Sequence, residues 1–218
     1  MRHQTTDAAI AVFASGVRDF PSSGKLRIGL GCAYYVAGKY EEAARSILQA
    51  TTLDPHNRLA YFFLGKVYER AYARQDAITD KFRAYAQQSP DDAWFYCHYG
   101  TILYLRSQAD AQPDYEPAKS YLSKAIHLDP GFAEAYLQLG IISQKEGQFE
   151  QSVGFLAHAV QANPKLASAH YRLGLAYARL GQGGKAKREF EVFQNLDSES
   201  QTEPERRQII QFLVKGRL

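Results

Sequence analysis

The chain has little of what usually announces chemistry. Its 218 residues include only two cysteines, one tryptophan and one methionine. Cys32 and Cys97 stand far apart, with no CxxC partner and no metal-type spacing, so they support neither a disulfide framework nor a zinc site. They read as two small buried hydrophobes. An excess of one charge is also missing. The 26 Lys and Arg residues against 23 Asp and Glu leave a formal charge of +3, spread along the chain. That argues against the concentrated basic stripe of a nucleic-acid binder. No apolar run approaches the ~18 residues of a membrane-crossing helix. The start, "MRHQTTDAAIAVFASG", has one early Arg and a short, broken apolar stretch rather than a signal-peptide core. The cytoplasm is the favoured compartment, and an upstream signal or anchor stays open.

Catalytic constellations are missing as well. There is no Gly-rich phosphate loop, no GxSxG and no HExxH. Histidines occur at His3, His56, His98, His127, His158 and His170, and no two share the i, i+4 spacing that puts ligands on one helix face. His56 and His127 fall at junctions and read as solvated. Glu41 and Glu42 read as the exposed first turn of a helix, where negative charge suits the helix dipole. The sequence is therefore expected to be no enzyme in itself, with no cofactor and no metal.

What is present is repetition. Residues 53–65 read "LDPHNRLAYFFLG" and residues 128–140 read "LDPGFAEAYLQLG". Pro21, Pro55, Pro90, Pro130 and Pro164 are each followed ten residues later by Gly31, Gly65, Gly100, Gly140 and Gly174. Successive glycines lie 34, 35, 40 and 34 residues apart. Between them the apolar positions recur at helical spacing in two runs, so the unit is a pair of helices. Small residues recur twelve after the glycine (Ala43, Ala77, Ser152, Ala186) and nineteen after it (Ala50, Ala84, Ala159). Each glycine costs its helix about 1 kcal/mol of propensity relative to alanine, which close helix packing would offset. The third unit carries six extra residues in "RSQADAQPDYEP", either a plain insertion or a contact loop at the rim. The second carries one extra residue before Pro90.

This pattern resembles the tetratricopeptide repeat family. The Leu-Gly pairs at Leu30, Leu64, Leu139 and Leu173 match it. So do the first-helix aromatics Tyr34, Tyr61, Tyr68, Tyr96, Tyr136 and Tyr177, with the small residues and prolines above. The resemblance implies an all-α, right-handed superhelical solenoid of antiparallel helix pairs. Its units are expected at 24–57, 58–92, 93–132, 133–166 and 167–200. Residues 1–23 read as a half-repeat or capping helix, since Ala9, Phe13, Gly16 and Pro21 fall on second-helix positions. Residues 201–218, with Pro204 at a helix start and Ile209, Ile210, Phe212 and Leu213 on one side, read as a C-terminal capping helix.

The resemblance further implies that first helices line a concave groove. The groove-facing places lie six, three and two residues before the glycine and one, four and five after it: Lys25, Ile28, Gly29, Cys32, Tyr35 and Val36 in the first unit, with Cys97 and Leu137 in the set further on. The candidate peptide-binding residues are Tyr35, Phe62, Phe63, Lys66, Arg70, Trp94, His98, Tyr104, Tyr171, Arg172 and Arg179. Tyr35, Phe62, Phe63, Trp94 and Tyr104 are expected near one another, with positive charge beside them. Aromatic residues with Arg have the composition of binding hot spots. The family's clamp for the C-terminal tails of heat-shock chaperones needs Lys and Asn, then Asn, then Lys and Arg. No register here supplies them, so that activity is not expected. The function read from the sequence is a non-catalytic scaffold that binds a protein segment in its groove. The alternative is a substrate-presenting or regulatory domain of a larger enzyme. Neither nucleic acid nor a membrane is expected as a partner, and self-association stays open.

Overall fold

The computed structural model describes residues 2–88 and 91–200. Among the described residues the fold is all-α, with eleven α-helices and no strand. They fall into two compact units that divide between Pro90 and Asp91. The proposed C-terminal capping helix lies outside the described residues.

The first unit holds α1 (Arg2–Asp19), the pair α2 (Gly24–Val36) and α3 (Tyr40–Leu53), and the pair α4 (Arg58–Tyr68) and α5 (Gln75–Gln88). Polar caps start the first helices of both pairs. The Ser23 hydroxyl accepts from the Leu26 N–H at 3.3 Å, and the Asn57 side chain accepts from Ala60. Within α2–α3, the two backbones meet at Gly31. A Cβ there would lie 2.4 Å from Ile47 and 3.2 Å from the Ala43 carbonyl oxygen. Ala43, Ile47 and Ala50 are buried beneath it.

The second pair departs from this plan. Gly65 has no neighbour within 4 Å of where its Cβ would stand. Ala77 and Ala84, expected as the close-packing residues, are exposed, and the next residues, Ile78 and Tyr85, are buried instead. The extra residue falls in the connection, which forms a 3₁₀ turn at Tyr72–Arg74. It shifts α5 by one position, so larger side chains face α4. Tyr61 fills the space, edge-on to Phe82 at 5.2 Å and to Tyr85 at 4.9 Å. The turn is fastened to the start of α3. The Ala73 N–H donates to Glu41 at 3.0 Å, and Arg74 pairs with the same carboxylate at 3.7 Å. Glu41 is therefore half-buried and bonded, not the solvated helix start that its position suggested.

The second unit holds three pairs. They are α6 (Ala93–Ser107) with α7 (Glu116–Leu128), α8 (Ala133–Lys145) with α9 (Phe149–Ala162), and α10 (Ala167–Arg179) with α11 (Gly183–Ser200). Gly100, Gly140 and Gly174 each meet the partner helix, at Leu122, Leu156 and Phe190 respectively. Leu137, Leu156, Ala159, Ala169, Leu173 and Ala176 join α8, α9 and α10 in one apolar cluster. Tight turns between paired helices use a left-handed glycine. Gly38, Gly147 and Gly181, each seven residues after its first-helix glycine, have φ of 77°, 77° and 71°. The second and third pairs have Tyr72 and Ser107 at that register, and these are the two pairs with altered connections.

The long connection of the third pair is folded back rather than loose. Ser107 Oγ donates to the Asp114 carbonyl at 2.8 Å, Asp114 Oδ1 accepts from the Glu116 N–H at 3.0 Å, and Tyr115 packs on Tyr104 with ring centroids 5.5 Å apart. Four residues before the glycine, Tyr96 and Tyr136 stack on second-helix rings, Tyr121 at 5.8 Å and His158 at 5.2 Å. In the last pair His170 holds this place. Its Nδ1 lies 2.7 Å from Glu189 and its Nε2 3.0 Å from the Pro164 carbonyl oxygen.

Candidate functional site

The candidate residues all lie on the first helices of their pairs or just past their ends, and the two units carry them separately. In the first unit Tyr35, near the end of α2, packs edge-on to Tyr40 of α3 at 5.6 Å. Arg70, just past α4, sits over the same Tyr40 ring at 5.0 Å and donates to its hydroxyl. That bond holds the Arg70 pKa above its ordinary value. Arg70 is thus engaged with an aromatic pair at the edge of the unit. Phe62 is half-buried, 5.4 Å from Phe63 edge-on, and the exposed Lys66 ammonium stands 5.6 Å from the Phe62 centroid. Phe63 itself is 3% exposed. It acts as floor under Phe62, not as an anchor a partner could enclose.

In the second unit Trp94 and His98, one turn apart on α6, are half-buried and stacked, with centroids 3.9 Å apart and planes at 26°. His98 Nδ1 donates to the Trp94 carbonyl at 2.9 Å, which fixes the ring against the indole. Tyr104 is 6% exposed and covered by Tyr115. Burial, then Tyr115, raises its pKa, while Arg172 lies near enough for its charge to oppose the rise. Arg172 is half-buried on α10, and its carbonyl accepts from Gln144 Nε2 of α8 at 2.7 Å. Tyr171, 40% exposed, turns to Phe193 at 5.2 Å and Phe190 at 6.1 Å on α11. Arg179 is exposed at the end of α10.

Seven of the expected groove-facing places are buried: Phe63 and Tyr104, Gly29, and Ile28, Cys32, Cys97 and Leu137. Ile28, Cys32, Cys97 and Leu137 are 1%, 0%, 3% and 6% exposed. Three residues before the glycine, Ile28, Cys97 and Leu137 are buried, Leu137 within the α8–α10 cluster, whereas Phe62 and Tyr171 at the same register are not. Burial pushes the Cys32 and Cys97 thiols up to about 12, with Glu134 adding to the rise at Cys97. Two contacts had no clear signal in the sequence. Tyr40 gathers Tyr35 and Arg70, and Tyr115 covers Tyr104 across the insertion. Among the described residues no group of three or more His, Cys, Asp and Glu is arranged to hold a metal, and no helix is long and apolar enough to cross a membrane.

Models of the tetratricopeptide repeat match residues 1–49, 28–93 and 133–166, more than half of the chain. The chain belongs to the tetratricopeptide repeat family. It is 28% identical over 127 residues to anaphase-promoting complex subunit 6 of Arabidopsis thaliana, a match that takes in 58% of this chain and 22% of that protein. The chain therefore matches less than a quarter of that relative's length. Among solved structures it is similar to PilW, a type IV pilus biogenesis factor, with 28% identity and a TM-score of 0.63 over 80% of this chain and 78% of that one. It shares a fold with YrrB, described as having an unusual peptide-binding site, at 20% identity and a TM-score of 0.51 over 91% and 95% of the two chains. Family membership makes this chain a protein-interaction scaffold.

Proposed function

We propose that the chain is a non-catalytic scaffold that holds an extended or helical protein segment against the exposed side of its first helices. The observation that carries this reading is the Trp94–His98 stack, an indole and an imidazole held face to face, half-buried on α6. In a family of interaction scaffolds, a partly exposed Trp in a fixed orientation is a ready anchor. It offers a large apolar face at little entropic cost. Arg172 and Arg179 on α10 place positive charge on the same unit, and Phe62 with Lys66 repeats the aromatic-plus-cation pairing in the first unit. The segment these groups suit carries one or two aromatic or aliphatic anchors and acidic residues. Fully burying one such anchor contributes about 1.5–3 kcal/mol, so the segment needs two or three of them to offset the cost of association.

Trp94 is the single tryptophan, so its emission reports on the site directly. Peptides with an aromatic anchor and acidic flanks are titrated against the chain, and against an Arg172→Glu variant. A saturable shift of Trp94 emission, weakened by salt and by Arg172→Glu, is the expected result. If such peptides bind and leave Trp94 emission unmoved, the site lies elsewhere.

A further inference from the structure

The first helices of the second unit sort their charges by end. Among the groove-facing places of α6, α8 and α10 stands one carboxylate, Glu134, against three cations, Lys145, Arg172 and Arg179. Glu134 lies in the first turn of α8. Lys145 is the last residue of α8, and Arg179 is the last of α10. Glu134, Lys145 and Arg179 are exposed. Lys145 follows Glu134 by eleven residues, which sets the two about 16 Å apart along α8. The middle of the same face is uncharged. Thr101, Ile141 and Leu175, each one residue after its glycine, are half-buried, as is Gln138 one turn before Ile141.

Acid in a first turn and base in a last turn suit the helix dipole. The dipole does not account for the placement, because α6 and α10 carry no acid in their first turns. Two observations set the carboxylate beside the aromatic anchor. Glu134 holds on α8 the register that Trp94 holds on α6, six residues before the glycine. Its charge is also felt on α6. After burial, Glu134 is the next cause that holds up the thiol of Cys97, which follows Trp94 by three residues and adjoins His98. Among the described residues Glu134 forms no ion pair of its own. An exposed carboxylate beside an indole held in a fixed orientation suits an ammonium or a guanidinium, the first group by charge and the second by cation–π attraction. The other end suits the opposite sign. There Arg172 comes near enough to Tyr104 for its charge to act on the phenol, and Lys145 and Arg179 mark the helix ends.

We infer that Glu134 and Trp94 form a subsite for a basic side chain, so that the second unit takes a segment with a basic residue at one end of its apolar anchor and an acidic residue at the other. The inference rests on the proposed use of the first-helix face. For a segment lying extended along α8, the spacing of Glu134 and Lys145 corresponds to about five residues between the two charges. Glu134 also discriminates. A segment that is acidic throughout gains at α10 and meets like charge at the start of α8.

The test displays short random peptides against the full chain and against Glu134→Lys. The parent is expected to enrich a motif with a basic residue at one end and an acidic residue at the other. The variant is expected to enrich an acidic residue in the basic residue's place, with the anchors unchanged. The parent's peptide is then titrated by calorimetry against the parent and against Glu134→Gln, as selected and with its basic residue changed to Gln. Glu134→Gln is expected to weaken the selected peptide about two- to fivefold, as the loss of an exposed ion pair gives, and to leave the neutralised peptide unaffected. A parent motif without a basic residue, the same motif on parent and Glu134→Lys, or an equal loss for both peptides overturns the subsite. In each of those cases a motif with anchors and acidic residues leaves the proposed function standing. If the parent enriches nothing, both fail.

Discussion

A Cβ placed on Gly140 would stand 2.5 Å from Cγ of Leu156, so α8 and α9 approach as closely as glycine allows. The same relationship holds Gly31 to Ile47 and Gly174 to Phe190, but not Gly65 to anything. One substitution therefore has opposite signs in different repeats. Gly31→Ala and Gly140→Ala are expected to destabilise the protein by about 1–3 kcal/mol through overpacking. Gly65→Ala meets open space and is expected to stabilise its unit by up to about 1 kcal/mol through helix propensity alone. Urea midpoints of the three variants check this. A loss of stability at Gly65 equal to that at Gly140 would contradict the open second pair.

The regular pairs could be read in the sequence because their packing is written in residue size at a fixed period. Gly31, Ala43 and Ile47 belong to one stripe, and so do Gly140, Ser152 and Leu156. The second pair could not be placed this way. A single extra residue anywhere between Gly65 and Pro90 satisfies the spacing, and only the fold shows it in the 3₁₀ turn, which moves the core from Ala77 and Ala84 to Ile78 and Tyr85. The candidate site was legible in part for a similar reason. Position within a helix tells which stripe a residue occupies. It does not tell whether a neighbouring element covers that stripe, as Tyr115 covers Tyr104 and Phe13 covers Gly29. Polar contacts between helices, such as Glu189 with His170 and Glu41 with Arg74, join residues whose separation carries no periodic signal.

Burial separates the candidate aromatics into two kinds. Phe63 is core, and Phe63→Ala is expected to cost about 3–5 kcal/mol of stability, enough to unfold a marginal domain. Trp94 is half-buried and stacked on His98, and Trp94→Ala is expected to lose affinity for a bound segment by about 1–3 kcal/mol while the fold survives. Circular dichroism melts beside binding titrations distinguish these. The reverse pattern would move the anchor from α6 to α4.

His170 is expected to be a structural bond of the last pair rather than a ligand. His170→Ala empties a buried position and removes a partner of both Glu189 and the Pro164 carbonyl, and a loss of about 1 kcal/mol or more of stability follows from the lost bonds and packing. Native-state hydrogen exchange of α10 and α11 checks it. Exchange unchanged in these helices would contradict the assignment.

The two thiols give a pH dependence with a definite sign. In the unfolded chain a thiol titrates near 8.5, whereas burial pushes Cys32 and Cys97 up to about 12 in the fold. The folded state therefore holds more protons between those values, and stability falls as pH rises above about 8.5. Cys32→Ala with Cys97→Ala is expected to flatten this limb of the stability curve. A limb that is equally steep without the thiols would assign it to other groups.

Partner segments are proposed to bind the first-helix face through Trp94 and the basic residues of α10. The most direct measurement is a peptide-display screen on the purified chain, run beside a Trp94→Ala, Arg172→Glu variant that keeps its fold. A motif with aromatic or aliphatic anchors and acidic residues is expected to be enriched on the parent and lost on the variant. Enrichment of the same motif on both proteins, or of none on the parent, would contradict it.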